Sequence, residues 1–309
     1  MKVSIVILNW NRKNDTLDCL RSVKLLSAEN CDLSIIVIDN ASSDNSQELI
    51  KKELFRIKRE NSWECELIEN EENFGFAAGN NVGIRHALNH GVDFVLILNN
   101  DTVLDKDLIN EMLLTSSEHP KAGLISPKVY FAPGFEFQKD RYRNADRGKV
   151  IWYAGGKIDW QNVYGSNRGV DEVDIGQFEK IEITEFATGT CMLIRKKVLD
   201  EIGTFDDKFF LYYEDADFSQ RAKRKGWQVL YSPKGHLWHK VAQSSGIGSE
   251  LNDYFTTRNR LFFGMKYATI RTKAALIKES FKLLQKGRNW QKIGVRDYYL
   301  HKFGRGSWK

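Results

Sequence analysis

Phe94-Val95-Leu96-Ile97-Leu98-Asn99-Asn100-Asp101 sets five consecutive apolar residues against three polar ones. An unalternated apolar run of that length, ended this sharply, reads as a strand buried on both faces. Such a strand needs helices above and below it, and the sequence upstream supplies them. Val3-Ser4-Ile5-Val6-Ile7-Leu8 and Ser34-Ile35-Ile36-Val37-Ile38 repeat the pattern, and Glu66-Leu67-Ile68 is a weaker third strand. Between them lie helical spacings. Leu17, Leu20 and Val23 follow a possible cap at Asp15 or Thr16, and Leu49, Ile50 and Leu54 follow an Asp44/Gln47 capping box. Asn73 to Gly83 reads as a glycine-rich loop entering a helix through Ile84 and Leu88. Strand and helix thus alternate over the first 115 or so residues, which predicts a parallel sheet covered on both faces.

Downstream the pattern changes. Residues 130 to 185 lose helical periodicity and mix Gly, Asp, Tyr and Trp, as hairpins laid over a sheet edge do. A strand over 187–194, helices through Val198-Leu199 and from about 215 to 225, and a strand Gln228-Val229-Leu230-Tyr231 follow. The pattern is helical beyond Leu251.

The chain has 309 residues, 42% hydrophobic and 28% charged, which excludes a disordered or collagen-like chain and a disulfide-dense mini-protein. No run approaches the ~18 apolar residues of a membrane-spanning helix. Met1-Lys2 and six mostly apolar residues before Asn9 read as a buried strand, not an export signal. Cys19, Cys31, Cys65 and Cys191 are scattered, which fits a reduced, cytoplasmic compartment. Charge is unevenly spread: residues 266–309 carry twelve Lys/Arg against two Asp/Glu, while residues 1–265 are net acidic. A basic tail on an acidic body fits an anionic, extended partner such as a membrane surface or nucleic acid, or serves solubility alone.

In an open α/β sheet, ligands bind beyond the carboxyl ends of the strands. There this sequence places Asn9 and Asn11, then Asp39-Asn40, then Asn99-Asn100-Asp101. The loop Asn73-Phe74-Gly75-Phe76-Ala77-Ala78-Gly79-Asn80-Asn81-Val82-Gly83 is neither a dinucleotide fingerprint nor a Walker A loop. Its spacing offers close backbone approach at Gly79 and amide donors at Asn80 and Asn81. Tyr212-Tyr213-Glu214-Asp215-Ala216-Asp217-Phe218 sets three carboxylates among aromatics, where apolar surroundings raise a carboxyl toward general-base range. His236-Leu237-Trp238-His239 follows a strand.

These motifs, in this order, resemble the family 2 glycosyltransferases of GT-A fold, in particular the rhamnosyltransferase-like branch that builds bacterial surface polysaccharides. The resemblance covers roughly residues 1 to 265. It implies an α/β, Rossmann-like nucleotide-diphospho-sugar transferase fold, a mixed sheet flanked by helices. A nucleotide-binding half (1–115) would be followed by an acceptor and catalytic half (116–265), then a basic helical extension (266–309). It further implies that Asp39 contacts the nucleotide base, with Asn11, Asn73 and Gly79 around base and ribose and with Asn9, Asn99 and Asn100 at the same donor site. Asp101 matches the last acid of the family's D-x-D motif, which holds Mg²⁺ or Mn²⁺ against the diphosphate, and His239 matches a histidine of the metal or diphosphate site. Asp215 matches the base that deprotonates the acceptor hydroxyl in an inverting displacement. Glu214, Asp217, Trp238 and Arg258 are expected near the acceptor, although Arg258-Asn259-Arg260 could instead cap the domain.

One departure is plain: Asn99-Asn100-Asp101 keeps one carboxylate where many relatives have two, which implies weaker metal binding. The implied donor is a dTDP-, UDP- or GDP-linked sugar, with rhamnose favoured. The implied acceptor is a glycan or a polyprenyl-diphosphate-linked glycan. A catalytically silent nucleotide-sugar-binding scaffold of the same fold is the alternative. Nucleic acid is not an expected partner, because the body is acidic and no nucleic-acid motif occurs. In the tail, Ile270, Ala274, Ile277, Phe281 and Leu284 form an apolar stripe with Lys273, Lys278, Lys282 and Lys286 mostly off it. That pattern fits a helix packed on its own domain, or one resting on the inner face of the cell membrane.

Overall fold

The computed structural model describes residues 1–241 and 248–309. Its first half is β1 (Lys2–Asn9), α1 (Lys13–Val23), β2 (Asp32–Asp39), α2 (Ser46–Asn61), β3 (Glu64–Glu69), α3 (Gly75–Asn89) and β4 (Phe94–Asn99). β3, β2, β1 and β4 lie side by side and all run parallel. The unalternated apolar runs follow from this arrangement, because each strand feeds two cores. Val3, Ile5 and Ile7 of β1 pack with Leu20 of α1 and Ile50 and Leu54 of α2, whereas Val6 packs with Ile84 and Ala87 of α3. Each fully buried Val, Leu or Ile side chain contributes roughly 1.5–3 kcal/mol.

Two expected caps moved. α1 starts at Lys13, and the Thr16 hydroxyl instead donates to Asn9 Oδ1 at 2.7 Å. Gln47 does not close a capping box; its amide donates to Asp39 Oδ2 at 2.7 Å.

The glycine-rich stretch is also corrected. α3 begins at Gly75, so Gly79, Asn80 and Asn81 lie inside a helix and not in a loop. Gly79 and Gly83 bring that helix onto β1: a Cβ at Gly79 would sit 2.6 Å from Leu8 Cδ1, and one at Gly83 would sit 2.4 Å from Val6 Cγ1. Asn80 donates to the Phe76 carbonyl, and Asn81 exchanges two hydrogen bonds with the Phe205 backbone.

The second half is β5 (Thr102–Leu104), α4 (Leu108–Glu118), β6 (Ala122–Phe131), β7 (Ile151–Tyr153), β8 (Gly156–Asp159), β9 (Tyr164–Asn167), β10 (Glu182–Ile183), β11 (Cys191–Arg195), α5 (Lys196–Ile202), α6 (Glu214–Arg224) and β12 (Gln228–His239). β11 inserts antiparallel between β4 and β6, and β12 runs parallel to β6. The result is the expected mixed sheet, ten strands in all among the described residues, with β8 and β9 as a separate hairpin.

β12 is longer than the expected strand. It bulges between Ser232 and His236, around Pro233, which cannot donate to the ladder. It then resumes and carries His239 to pair with Thr102 of β5. α7 (Glu250–Tyr267), α8 (Ile270–Lys286) and α9 (Asn289–Tyr299) complete the chain, so the expected boundary at 265 falls in the last turn of α7. Among the described residues, no helix is long and apolar enough to cross a membrane.

Candidate active site

Strand ends β1, β2 and β4 form one rim. Asp39 is fully buried there and accepts from Asn9 Nδ2 at 2.6 Å, from the Ser42 amide at 2.9 Å and from Gln47. A carboxylate offers about four acceptor positions, so about one is left for a ligand. Asn9 is fully buried too; its amide oxygen accepts from Thr16, and Asn100 Nδ2 donates to Thr16 Oγ1 at 2.8 Å. Asn9 and Asn100 therefore hold the rim's shape. The Nδ2 groups of Asn9 and Asn100 are spent on neighbours within the rim, and the missing Cβ of Gly79 makes room for Leu8.

Asn11 is exposed, in a left-handed conformation, with Oδ1 accepting from the Ser43 amide at 2.7 Å. Asn73 is half-buried and accepts from Asn40 and from the Gly75 amide. Asn99 is half-buried at the end of β4, and its amide N–H donates to the Thr190 carbonyl at 2.9 Å.

Asp101 Oδ1 lies 3.1 Å from His239 Nε2. The β5–β12 pairing fixes that meeting, because the Lys240 amide also donates to the Asp101 carbonyl at 2.8 Å. Burial alone would raise the Asp101 carboxyl. The adjacent His239 ring outweighs it and holds the carboxyl below its ordinary value. His239 is buried edge-on to Trp152, and its Nδ1 has no hydrogen-bond partner among the described residues. One carboxylate oxygen and one imidazole nitrogen at this spacing suit neighbouring positions on an octahedral divalent cation. Bonds near 2.1 Å put adjacent donors about 3 Å apart.

The second part of the site is a cavity of about 250 Å³ whose walls include Tyr164, Phe186, Tyr212, Tyr213, Glu214, Asp215 and Phe263. Asp215 sits in the first turn of α6, with Oδ2 accepting from the Gly189 amide at 3.1 Å and Oδ1 from the Ala216 amide at 2.7 Å. Burial lifts its carboxyl above the ordinary value, against the pull of those N–H groups. Glu214 lies well above its ordinary value, through burial and then the adjacent Asp215 charge, and its Oε2 is buried with no hydrogen-bond partner among the described residues. Two neighbouring carboxyls with unequal support is how an acid and a base are set apart. Asp215, with two amide donors, is the one placed to ionise.

The segment before α6 is strained. Phe210, Tyr212 and Tyr213 all have positive φ, at 62°, 69° and 71°, which for bulky residues persists only where the surroundings force it. Asn259 of α7 supplies the force: its amide donates to the carbonyls of Phe209, Leu211 and Tyr212 at 2.8, 2.7 and 2.9 Å. The Phe210 carbonyl accepts from the Phe76 and Ala77 amides at the start of α3.

Three residues expected near the acceptor are engaged within the protein. Asp217 is fully buried and committed to Arg221, Lys266 and Tyr267. Arg258 is fully buried and donates to the backbone carbonyls of Lys208, Phe209 and Gly304, which is the capping alternative. Trp238 donates to the Gly148 carbonyl at 2.9 Å, lies tilted beside Tyr130 and edge-on to His236, and does not line the cavity. The aromatics that do line it include Tyr164, Phe186 and Phe263, which sequence spacing did not single out. Of these, only Tyr164-Gly165 in the hairpin carried a local signal.

The sequence pattern of glycosyl transferase family 2 matches residues 4–203. A low-salt glycan biosynthesis hexosyltransferase of Haloferax volcanii is 24% identical over 228 residues, 74% of this chain and 63% of that protein. An N-acetylglucosaminyl-diphospho-decaprenol L-rhamnosyltransferase of Mycobacterium tuberculosis is 26% identical over 159 residues, 50% of this chain and 49% of that protein. The chain thus spans about half to two thirds of the length of these relatives. Among solved structures, a mannosyltransferase of Pyrobaculum calidifontis in complex with GDP-Man and Mn²⁺ superposes with a TM-score of 0.56. The match has 14% identity and covers 97% of this chain and 74% of that one.

Proposed function

The chain belongs to glycosyl transferase family 2, and from that premise we propose that it is an inverting glycosyltransferase. It moves a hexose, with L-rhamnose favoured, from a nucleotide diphosphate sugar to a hydroxyl of a glycan or polyprenyl-diphosphate-linked glycan in surface polysaccharide synthesis. The observation that carries the reading is the placement of Asp215. It sits on two backbone N–H groups in an aromatic-walled cavity, one peptide from the strand-end rim: Gly189 donates to Asp215, and the Thr190 carbonyl accepts from Asn99.

The rim of residues 1–115 receives the nucleotide. Asn11 is exposed there and Asn73 half-buried, and Asp39 offers its remaining acceptor position to a base N–H. Asp101 and His239 would hold Mg²⁺ or Mn²⁺, which would neutralise charge on the departing diphosphate, with the Asn99 side chain toward the ribose or a metal-bound water. Residues 116–265 build the acceptor side, where the faces of Tyr164, Tyr212 and Phe263 suit a sugar ring.

Asp215 takes the proton of the acceptor hydroxyl. The freed oxygen forms a bond to the anomeric carbon as that carbon's bond to the diphosphate oxygen breaks, and the electron pair leaves with the nucleoside diphosphate. Attack opposite the leaving group inverts the configuration. Glu214, whose carboxyl burial holds well above its ordinary value, resists placing a second negative charge in the cavity. The enzyme works in the cytoplasm, where nucleotide sugars are made. Calorimetric titration with dTDP, UDP and GDP, each with Mn²⁺ and then with EDTA, tests the donor site. Metal-dependent binding of one nucleotide is expected, and binding of none would leave the scaffold reading.

A further inference from the structure

Four of the five residues of the tail's apolar stripe face away from the protein, while Leu284 packs on the core. α8 packs through Thr272, Leu276 and Ser280, while Ile270 is 87% exposed, Phe281 57% and Ile277 37%, with Ala274 exposed between them. α9 extends the row: Tyr299 stacks on Phe281 with ring centroids 6.1 Å apart, and Leu300 beside it is 58% exposed. A basic row runs alongside, roughly 80–120° round the helix from Ile270 at ~100° per residue, made of exposed Arg271, Lys278 and Lys282. Neither acid of the tail opposes it. Glu279 is paired on the packed side with Arg260 at 2.9 Å, and Asp297 is buried against Tyr254 and Ser307. What remains outward is apolar and cationic.

We propose that this face docks on an anionic lipid leaflet, with α8 lying in the plane of the interface. A helix of 17 residues is ~25 Å long and too charged to insert across a bilayer. Ile270, Ile277, Phe281 and Leu300 enter the boundary of headgroups and acyl chains while Arg271, Lys278 and Lys282 meet the headgroup charge. Unlike a second copy of the chain, which would bring the same cations to the interface, a negative surface complements the whole face.

The face is mechanically joined to the cavity. The Thr272 hydroxyl donates to the Trp160 carbonyl at 3.1 Å, beside the β8–β9 hairpin. Arg260, which grips Glu279, lies 4.1 Å over the Tyr164 ring of the cavity wall. Docking therefore holds the cavity next to the leaflet, where a polyprenyl-linked acceptor resides. That use rests on the proposed function, whereas the docking itself does not.

The test is flotation of the purified chain with vesicles of phosphatidylcholine alone and with 30% phosphatidylglycerol, in the absence of donor. Binding is expected only to the anionic vesicles and should fall in 0.5 M salt. Ile277→Ser with Phe281→Ser should weaken it by about tenfold or more, as should Lys278→Glu with Lys282→Glu. Lys278 and Lys282 are exposed, so the charge-reversal pair should leave the thermal midpoint unchanged, whereas the apolar pair also removes the Phe281–Tyr299 stack and should lower it slightly. No flotation with anionic vesicles overturns the proposal, and so does flotation unaffected by both pairs. A dimer in sedimentation that Ile277→Ser/Phe281→Ser dissolves would also overturn it, by giving the face to a second copy. Transfer to a water-soluble acceptor should survive both double variants. Loss of that transfer in the unaltered protein would count against the proposed function and leave the docking result standing.

Discussion

The side-chain amide of Asn259 donates to the carbonyl of Tyr212 at 2.9 Å, and the same nitrogen reaches Phe209 and Leu211. One buried amide on α7 thereby fixes a run of backbone in which Phe210, Tyr212 and Tyr213 all have positive φ. The next two residues are Glu214 and Asp215.

Asn259→Ala should release that backbone. Each left-handed bulky residue costs of order 1–3 kcal/mol and stays only while its surroundings over-determine it. Displacement of Asp215 should lower kcat by about ten- to a hundredfold, with the donor KM close to the parent value. Steady-state kinetics with varied donor check this; an unchanged kcat would mean that the loop keeps its shape without Asn259.

The pH dependence follows from burial. Asp215 must be ionised to accept a proton, and its carboxyl lies above the ordinary aspartate value because it is buried. The rate should therefore rise with pH along a limb displaced upward from the ordinary carboxylate range. A profile of kcat/KM reports it. A limb at the ordinary value would show that Asp215 is solvated in the working enzyme.

Stability should move the opposite way. The raised groups, Glu214 and Asp215, bind protons more tightly folded than unfolded. Between their ordinary and raised values the unfolded chain has lost protons that the folded chain retains, so stability falls as pH rises through that window. Glu214→Gln, which removes the more strongly raised group, should raise the thermal midpoint at pH 8 more than at pH 4.

Gly79→Ala separates packing from ligand contact. The new methyl would meet Leu8 Cδ1 at 2.6 Å, and overpacking of this kind typically costs ~1–3 kcal/mol. The gain in helix propensity offsets up to ~1 kcal/mol of that. The urea midpoint should drop while nucleotide affinity is kept. Lost affinity at an unchanged midpoint would restore Gly79 to the donor site.

Local signals in the sequence reached the strands and their ends. The runs at Val3, Ser34 and Phe94 are buried on both faces, so composition alone marks them. The residues after each necessarily share one rim. What stayed hidden depends on partners far away. Gly79 lies in a stretch of poor helix formers that becomes helix because it packs on Leu8. Asp217 looks like a site acid until Lys266 and Tyr267, some fifty residues on, close over it. The tail stripe has the spacing of a packed helix, yet the buried positions are Thr272, Leu276 and Ser280, and of the stripe Leu284 packs on the core.

The role of Asp215 is tested most directly by Asp215→Asn, which keeps the shape and removes the base. dTDP-rhamnose, UDP-N-acetylglucosamine and GDP-mannose would each be offered with Mn²⁺ and a polyprenyl-diphosphate-linked N-acetylglucosamine acceptor, and the transferred sugar measured. The parent protein should transfer one of them. The variant should be slower by ~10²–10⁴-fold, while its calorimetric affinity for the matching nucleoside diphosphate stays within about threefold. Transfer at the parent rate by Asp215→Asn would contradict the account.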